Sequence, residues 1–214
     1  MHRSTLLAAC AALLAAAPLA AQGTAQGTAQ GSTLPASSTK GFFIGIHSGG
    51  SSISADDLSE DTEAGGGGGI LLGYGFTPQL ALFVEGTGAV LDTDDGDIAL
   101  GHADIGVRYA FTSPTRRWVP HLEAALSGRG LAQEDVVLDG GGIGDVSMGG
   151  VGFTLGGGVQ YYAAPQWAIG AALKWTTGEF SEGEIDDVKV EDLDIDATSL
   201  RLNLGVTWYP MIGR

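Results

Sequence analysis

From Lys40 onward, apolar residues alternate with small or polar ones, the period-two pattern that puts successive side chains on opposite faces of a strand. In the run beginning at Leu80, the residues Leu82, Val84 and Val90 share one face, and Ala81, Phe83, Glu85 and Thr87 the other. A later run sets Ala103, Ile105, Val107, Tyr109 and Phe111 against His102, Asp104, Gly106 and Arg108. The last sets Leu200, Leu202, Leu204, Val206 and Trp208 against Arg201, Asn203, Gly205 and Thr207. The pattern predicts eight strands, at 41–53, 68–76, 80–91, 98–111, 118–129, 149–162, 167–178 and 197–209. Each is long enough to span a bilayer at a tilt, which takes about 9–11 residues. None of the apolar runs after Lys40 reaches the about 20 residues of a membrane helix.

The connections predict a direction. After the second, fourth and sixth strands they are short and contain proline: Thr77-Pro78-Gln79, Thr112–Arg117 and Ala163–Gln166. After the first, third, fifth and seventh they are acidic and mostly longer: Ser54–Gly67, Asp92–Asp97, Gly130–Met148 and Glu179–Asp196. Short turns on the inner side and long loops on the outer side are the habit of barrels in bacterial outer membranes.

Polarity points the same way. A soluble barrel hides its aliphatic row inside. Here all but Glu85, Asp104 and Glu123 of the 25 acids fall in the expected loops, and those three oppose the aliphatic face. Arg108, Lys174 and Arg201 join them, with Arg129 near the outer end of its strand. A charge facing lipid near the midplane costs about 2–4 kcal/mol, so an uncharged apolar exterior is what lipid demands. Phe42, Phe76, Phe111, Trp118, Tyr161, Trp167 and Trp208 fall near the strand ends beside the short turns, as an aromatic girdle at the periplasmic interface would. Trp175 and Phe180 are candidates for a sparser outer girdle.

The N-terminus reads as a secretory signal over 1–21: Arg3, an apolar stretch from Leu6 to Ala17, and small residues up to Ala21. Cleavage there removes Cys10, the only cysteine, and leaves a mature chain without disulfides. Residues 22–39 repeat Gln-Gly-Thr-Ala and form a flexible linker, and 40–214 form the barrel. With a net charge of −15, the protein would repel nucleic acid.

The opening Gly41-Phe42-Phe43-Ile44-Gly45, the turn Gly75-Phe76-Thr77-Pro78 and a closing strand with Asn203, Gly205 and Trp208 carry a resemblance. Over Lys40–Pro210 the chain resembles the small eight-stranded outer-membrane β-barrel family, which includes the OmpA-type and OmpX-type barrels. The resemblance implies an all-β, antiparallel up-and-down transmembrane barrel in the bacterial outer membrane, folded by the outer-membrane assembly machinery. The chain departs from the family where a final Phe usually stands, having Tyr209-Pro210 and four further residues.

Four functional readings compete. Glu85, Asp104, Arg108, Glu123, Lys174 and Arg201 form an interior charge network, since eight strands leave room only for side chains and buried charges must be paired. As a fixed plug this network fits a structural or surface-interaction barrel of the envelope; with pairs that rearrange it fits a narrow transport path. Catalysis would need a Ser-His-acid set, for which His102, Asp104, His121, Glu123 and Ser127 supply parts, but neighbouring charges account for both histidines and the protein is not expected to be an enzyme. Asp92, Asp94, Asp95 and Asp97 offer oxygen ligands for weak divalent-cation binding, bridging the loops to lipopolysaccharide. Their spacing is not that of an EF-hand loop, and neither a cofactor nor a zinc site is expected. The remaining expected partner is outer-membrane lipid.

Overall fold

The computed structural model describes residues 40–55, 63–93, 96–113, 117–137, 143–185 and 188–210, so the expected signal segment and linker lie outside it. Eight antiparallel strands close into a barrel in sequence order. They are β1 (Gly41–Ala55), β2 (Glu63–Gly75), β3 (Leu80–Thr93), β4 (Gly96–Ala110), β5 (Trp118–Val137), β6 (Ile143–Ala164), β7 (Trp167–Ile185) and β8 (Val188–Trp208). β1 and β8 close it from Ile44 opposite Trp208 to Ala55 opposite Ala197, so no strand edge is left open at that height.

The alternation works as two wallpapers. Ile46, Ile70, Leu82, Ile105, Leu126 and Leu204 lie exposed on the outside, whereas Phe43, Phe83, Ala125 and Tyr162 are buried on the inside. The outward row is uncharged from the aromatic strand ends up to the cross-strand pairs Asp92–Asp97 and Glu179–Asp196. The turn after β2 is held by Thr77, whose Oγ1 accepts from the backbone N–H groups of Gln79 (3.2 Å) and Leu80 (2.9 Å). Pro78 presets the bend beside it.

The strands are longer than the alternation predicts. β5 and β6 continue to Val137 and from Ile143, and β7 and β8 to Ile185 and from Val188. The expected loops Gly130–Met148 and Glu179–Asp196 are therefore mostly tall hairpins, and the described parts of Ser54–Gly67 and Asp92–Asp97 are strand as well. Acids such as Asp97, Asp145, Glu179 and Asp196 thus lie on strands, contrary to the expectation of only three strand acids. The physical reason is that above the lipid a hairpin needs only its backbone ladder; polar-apolar alternation is a demand of the bilayer, not of β-pairing. Phe180 is the second correction. Because β7 runs unbroken through Thr176 and Gly178, Phe180 shares their parity and is fully buried inside, not part of an outer girdle.

Candidate functional site

The lumen is filled in three layers. At the end with the short turns, Phe43, Leu71, Ala81, Phe83, Val119, Tyr162 and Tyr209 form an apolar layer. Phe43 and Tyr162 lie 5.4 Å and 5.5 Å from the Tyr209 ring, and the Tyr209 hydroxyl donates to Gln160 Oε1 at 2.8 Å. At the other end, Ile53, Leu91, Leu100, Leu131, Phe180 and Ala197 form a second apolar layer. Both exist because on several strands the inward positions switch from polar to apolar towards the ends, as from Glu85 to Phe83 and to Leu91 on β3 and from His102 to Leu100 on β4.

All the charged residues of the expected network lie between these layers, and all six are buried. They form two clusters. In the one nearer the short turns, Lys174 reaches across from β7, its Nζ 2.8 Å from Glu85 Oε2 and 2.9 Å from Glu123 Oε2. Arg108 Nε donates to Glu123 Oε1 at 2.6 Å. Two cations thus face two carboxylates. His47 and His121 flank the cluster, 3.8 Å from Glu85 and 3.4 Å from Glu123. The cations also cap the apolar layer below: Arg108 Cζ lies 5.5 Å from the Phe43 ring and Lys174 Nζ 5.0 Å from the Phe83 ring, within cation–π range.

In the outer cluster Arg201 Nη2 donates to Asp104 Oδ2 (3.0 Å), Thr176 Oγ1 (2.9 Å) and Thr154 Oγ1 (3.3 Å). Ser127 Oγ donates to Asp104 Oδ1 at 2.6 Å, and a chain of hydroxyls runs from Ser127 through Thr154 to Thr176. Sequence reasoning missed these threonines and left Arg129 outside the network. The available signal was parity: Thr154 and Thr176 share the inward face of their strands with Gly156 and Lys174.

Room inside is scarce. One cavity of about 50 Å³ lies by His47, Glu85, Arg108, His121, Gln160 and Lys174, space for a few waters. Inward Gly45, Gly170 and Gly205 line this cavity, and Gly156 makes room for a long charged chain, since a Cβ there would come within 3.1 Å of Lys174 Cγ.

A serine–histidine contact does exist, 3.0 Å from His102 Nε2 to Ser199 Oγ, which the sequence did not suggest. Both residues are buried beneath the outer apolar layer, and the Asp104 carboxylate is held by Ser127 and Arg201.

Of the expected girdle, Phe42, Phe76, Phe111, Trp118, Trp167 and Trp208 are exposed and Tyr161 half-buried. Trp118 stands against Tyr161 (4.8 Å between centroids) and Trp167 on Trp208 (6.0 Å). Tyr74 and Tyr109, absent from the expectation, join Phe76 and Phe111 in edge contacts. Asp92 and Asp97 are exposed cross-strand partners, while Asp94 and Asp95 lie outside the described residues. Among the described residues, acids, histidines and cysteines form no group of three able to hold a metal ion.

The profile of the outer membrane protein beta-barrel domain matches residues 6–208. The fold is similar to that of neisserial surface protein A, at 20% identity and a TM-score of 0.60, covering 79% of this chain and 97% of that one. It is also similar to Ail, the attachment invasion locus protein of Yersinia pestis (12% identity, TM-score 0.49, 79% and 99% covered). A third similar structure is OprG from Pseudomonas aeruginosa (11% identity, TM-score 0.49, 80% and 96% covered). No curated protein sequence matches significantly.

Proposed function

Because the chain belongs to the outer membrane protein beta-barrel domain family, we propose that it is a sealed barrel with a structural and surface-interaction role in the bacterial envelope. The observation that carries this reading is the layered lumen. A charge network whose partners come from opposite walls is capped at both ends by apolar side chains. A transport path would need continuous polar room, and the cavity beside the inner charge cluster is about 50 Å³. Ion passage would have to break buried pairs and wet both apolar layers.

The aliphatic exterior takes outer-membrane lipid. The aromatic residues beside the short turns sit at the periplasmic interface, where rings with one polar edge are most stable. The tall hairpins β5–β6 and β7–β8 stand above the lipid as the interaction surface. Their acids have no neighbouring excess of bases, so their partners are cationic; divalent ions would bridge them to the anionic sugars of lipopolysaccharide. Catalysis has no place in this reading, because the His102–Ser199 pair has no access for a substrate.

Refolded protein in a planar bilayer tests the proposal. Silence at physiological salt is expected, and a steady single-channel conductance would overturn it in favour of a narrow transport path.

A further inference from the structure

The two charge clusters do not balance alike. Between the two apolar layers the described residues place four cations, Arg108, Arg129, Lys174 and Arg201, against three carboxylates, Glu85, Asp104 and Glu123. Two of each satisfy one another in the inner cluster. That leaves Arg129 and Arg201 with Asp104 alone. Arg129 makes no ion pair among the described residues; its Nη1 donates to Ala197 O at 2.8 Å, and its Cζ lies 4.8 Å from the Phe180 ring.

Arg108 Nη1 and the His121 ring nitrogens lack hydrogen-bond partners in the inner cluster, but most of the unused donors belong to the outer one. Arg129 Nε and Nη2, Arg201 Nε and Nη1 and Ser51 Oγ are all buried without a hydrogen-bond partner. Arg129 is 5% exposed and Arg201 1%. The residues are neighbours by register and contact. Ser51 is the cross-strand partner of Arg201, and His102 that of Arg129. His102 reaches Ser199, two residues from both Arg201 and Ala197, the residue that Arg129 touches. Glycines clear the way between them. Gly150 is opposite Arg129 on β6, Gly152 is opposite Gly178, and Gly178 is opposite Ala197 on β8. Gly178 also has a φ of +157°, and a Cβ there would come within 2.3 Å of Val151 O.

Two buried guanidinium groups against one carboxylate are unstable, because repulsion is weakly screened and each unused N–H keeps its desolvation cost. The cation–π contact with Phe180 offsets only part of this. We propose that the outer lumen is an anion-binding site, in which Arg129, Arg201 and Ser51 hold one small monovalent anion of the halide class. One negative charge balances Arg129 and Arg201 against Asp104. A halide accepts several N–H and O–H donors at once from any direction, which suits donors supplied by three different strands, β1, β5 and β8.

Refolded protein crystallised in sodium bromide, with diffraction collected at the bromine edge, tests this first. An anomalous peak between Arg129 and Arg201 is expected. Ordered water there with no peak would overturn the proposal. In detergent, unfolding should be roughly tenfold slower in chloride at about ten times the dissociation constant than in gluconate of equal ionic strength. Arg129→Gln should remove that dependence, which separates site binding from a general salt effect. Equal unfolding rates of the unmodified protein in the two salts would also overturn it, and this comparison stands even if the variant does not fold.

Discussion

The two halves of the lumen solve the same problem, charges buried in lipid-surrounded protein, with different chemistry. In the inner half, long cations meet carboxylates directly, and Glu123 is held by both Arg108 and Lys174. In the outer half, one carboxylate is supplemented by hydroxyls, with Ser127, Thr154 and Thr176 strung between Asp104 and Arg201. Direct ion pairing concentrates the stabilisation in a few groups; a hydroxyl chain spreads it over many. The inner half should therefore be brittle to single substitutions and the outer half tolerant.

The largest effect should come from Glu123→Ala. It leaves Arg108 buried without a carboxylate and Lys174 with Glu85 alone, at a cost of about 3–5 kcal/mol. The urea midpoint of the refolded protein, read by heat-modifiable gel mobility, should fall accordingly. An unchanged midpoint would mean the inner half is not held by these pairs.

Thr176→Val sharpens the contrast. The substitution keeps the shape of the side chain and removes one acceptor from Arg201, which keeps Asp104 and Thr154. A hydrogen bond to a charged group is worth about 1.5–3 kcal/mol, so the urea midpoint should drop by less than in Glu123→Ala. A drop as large or larger would erase the distinction between the halves.

The smallest effect lies one level higher, where the hairpins carry acids with almost no bases. Such acidic segments should bind calcium only weakly, in the millimolar range of low-affinity extracellular sites. Proteinase K on intact cells should cut within Ser54–Gly67 or Glu179–Asp196 before any other part of the barrel, and somewhat more slowly in calcium than in EDTA. Identical rates would leave the acids as a charged coat. Cleavage at the Pro78 or Pro165 turns would invert the inside–outside assignment on which the whole comparison rests.

Much of this was legible in the sequence because it is local. A side-chain period of two is enough to assign Glu85, Asp104, Arg108, Glu123, Lys174 and Arg201 to one face. Proline and threonine at Thr77-Pro78 mark a turn without reference to anything distant. The one-sided aliphatic row requires lipid, and with it a closed barrel. What alternation cannot specify is where a strand stops once lipid no longer constrains it. For that reason the acidic segments of β5 to β8 read as loops, and Phe180 was put on the wrong face. Nor can it specify who meets whom across the lumen. Lys174 and Glu85 are 89 residues apart, and Arg129 finds Ala197 rather than a carboxylate. Those meetings depend on the tilt and stagger with which eight strands close, a property of the whole barrel that no single strand carries.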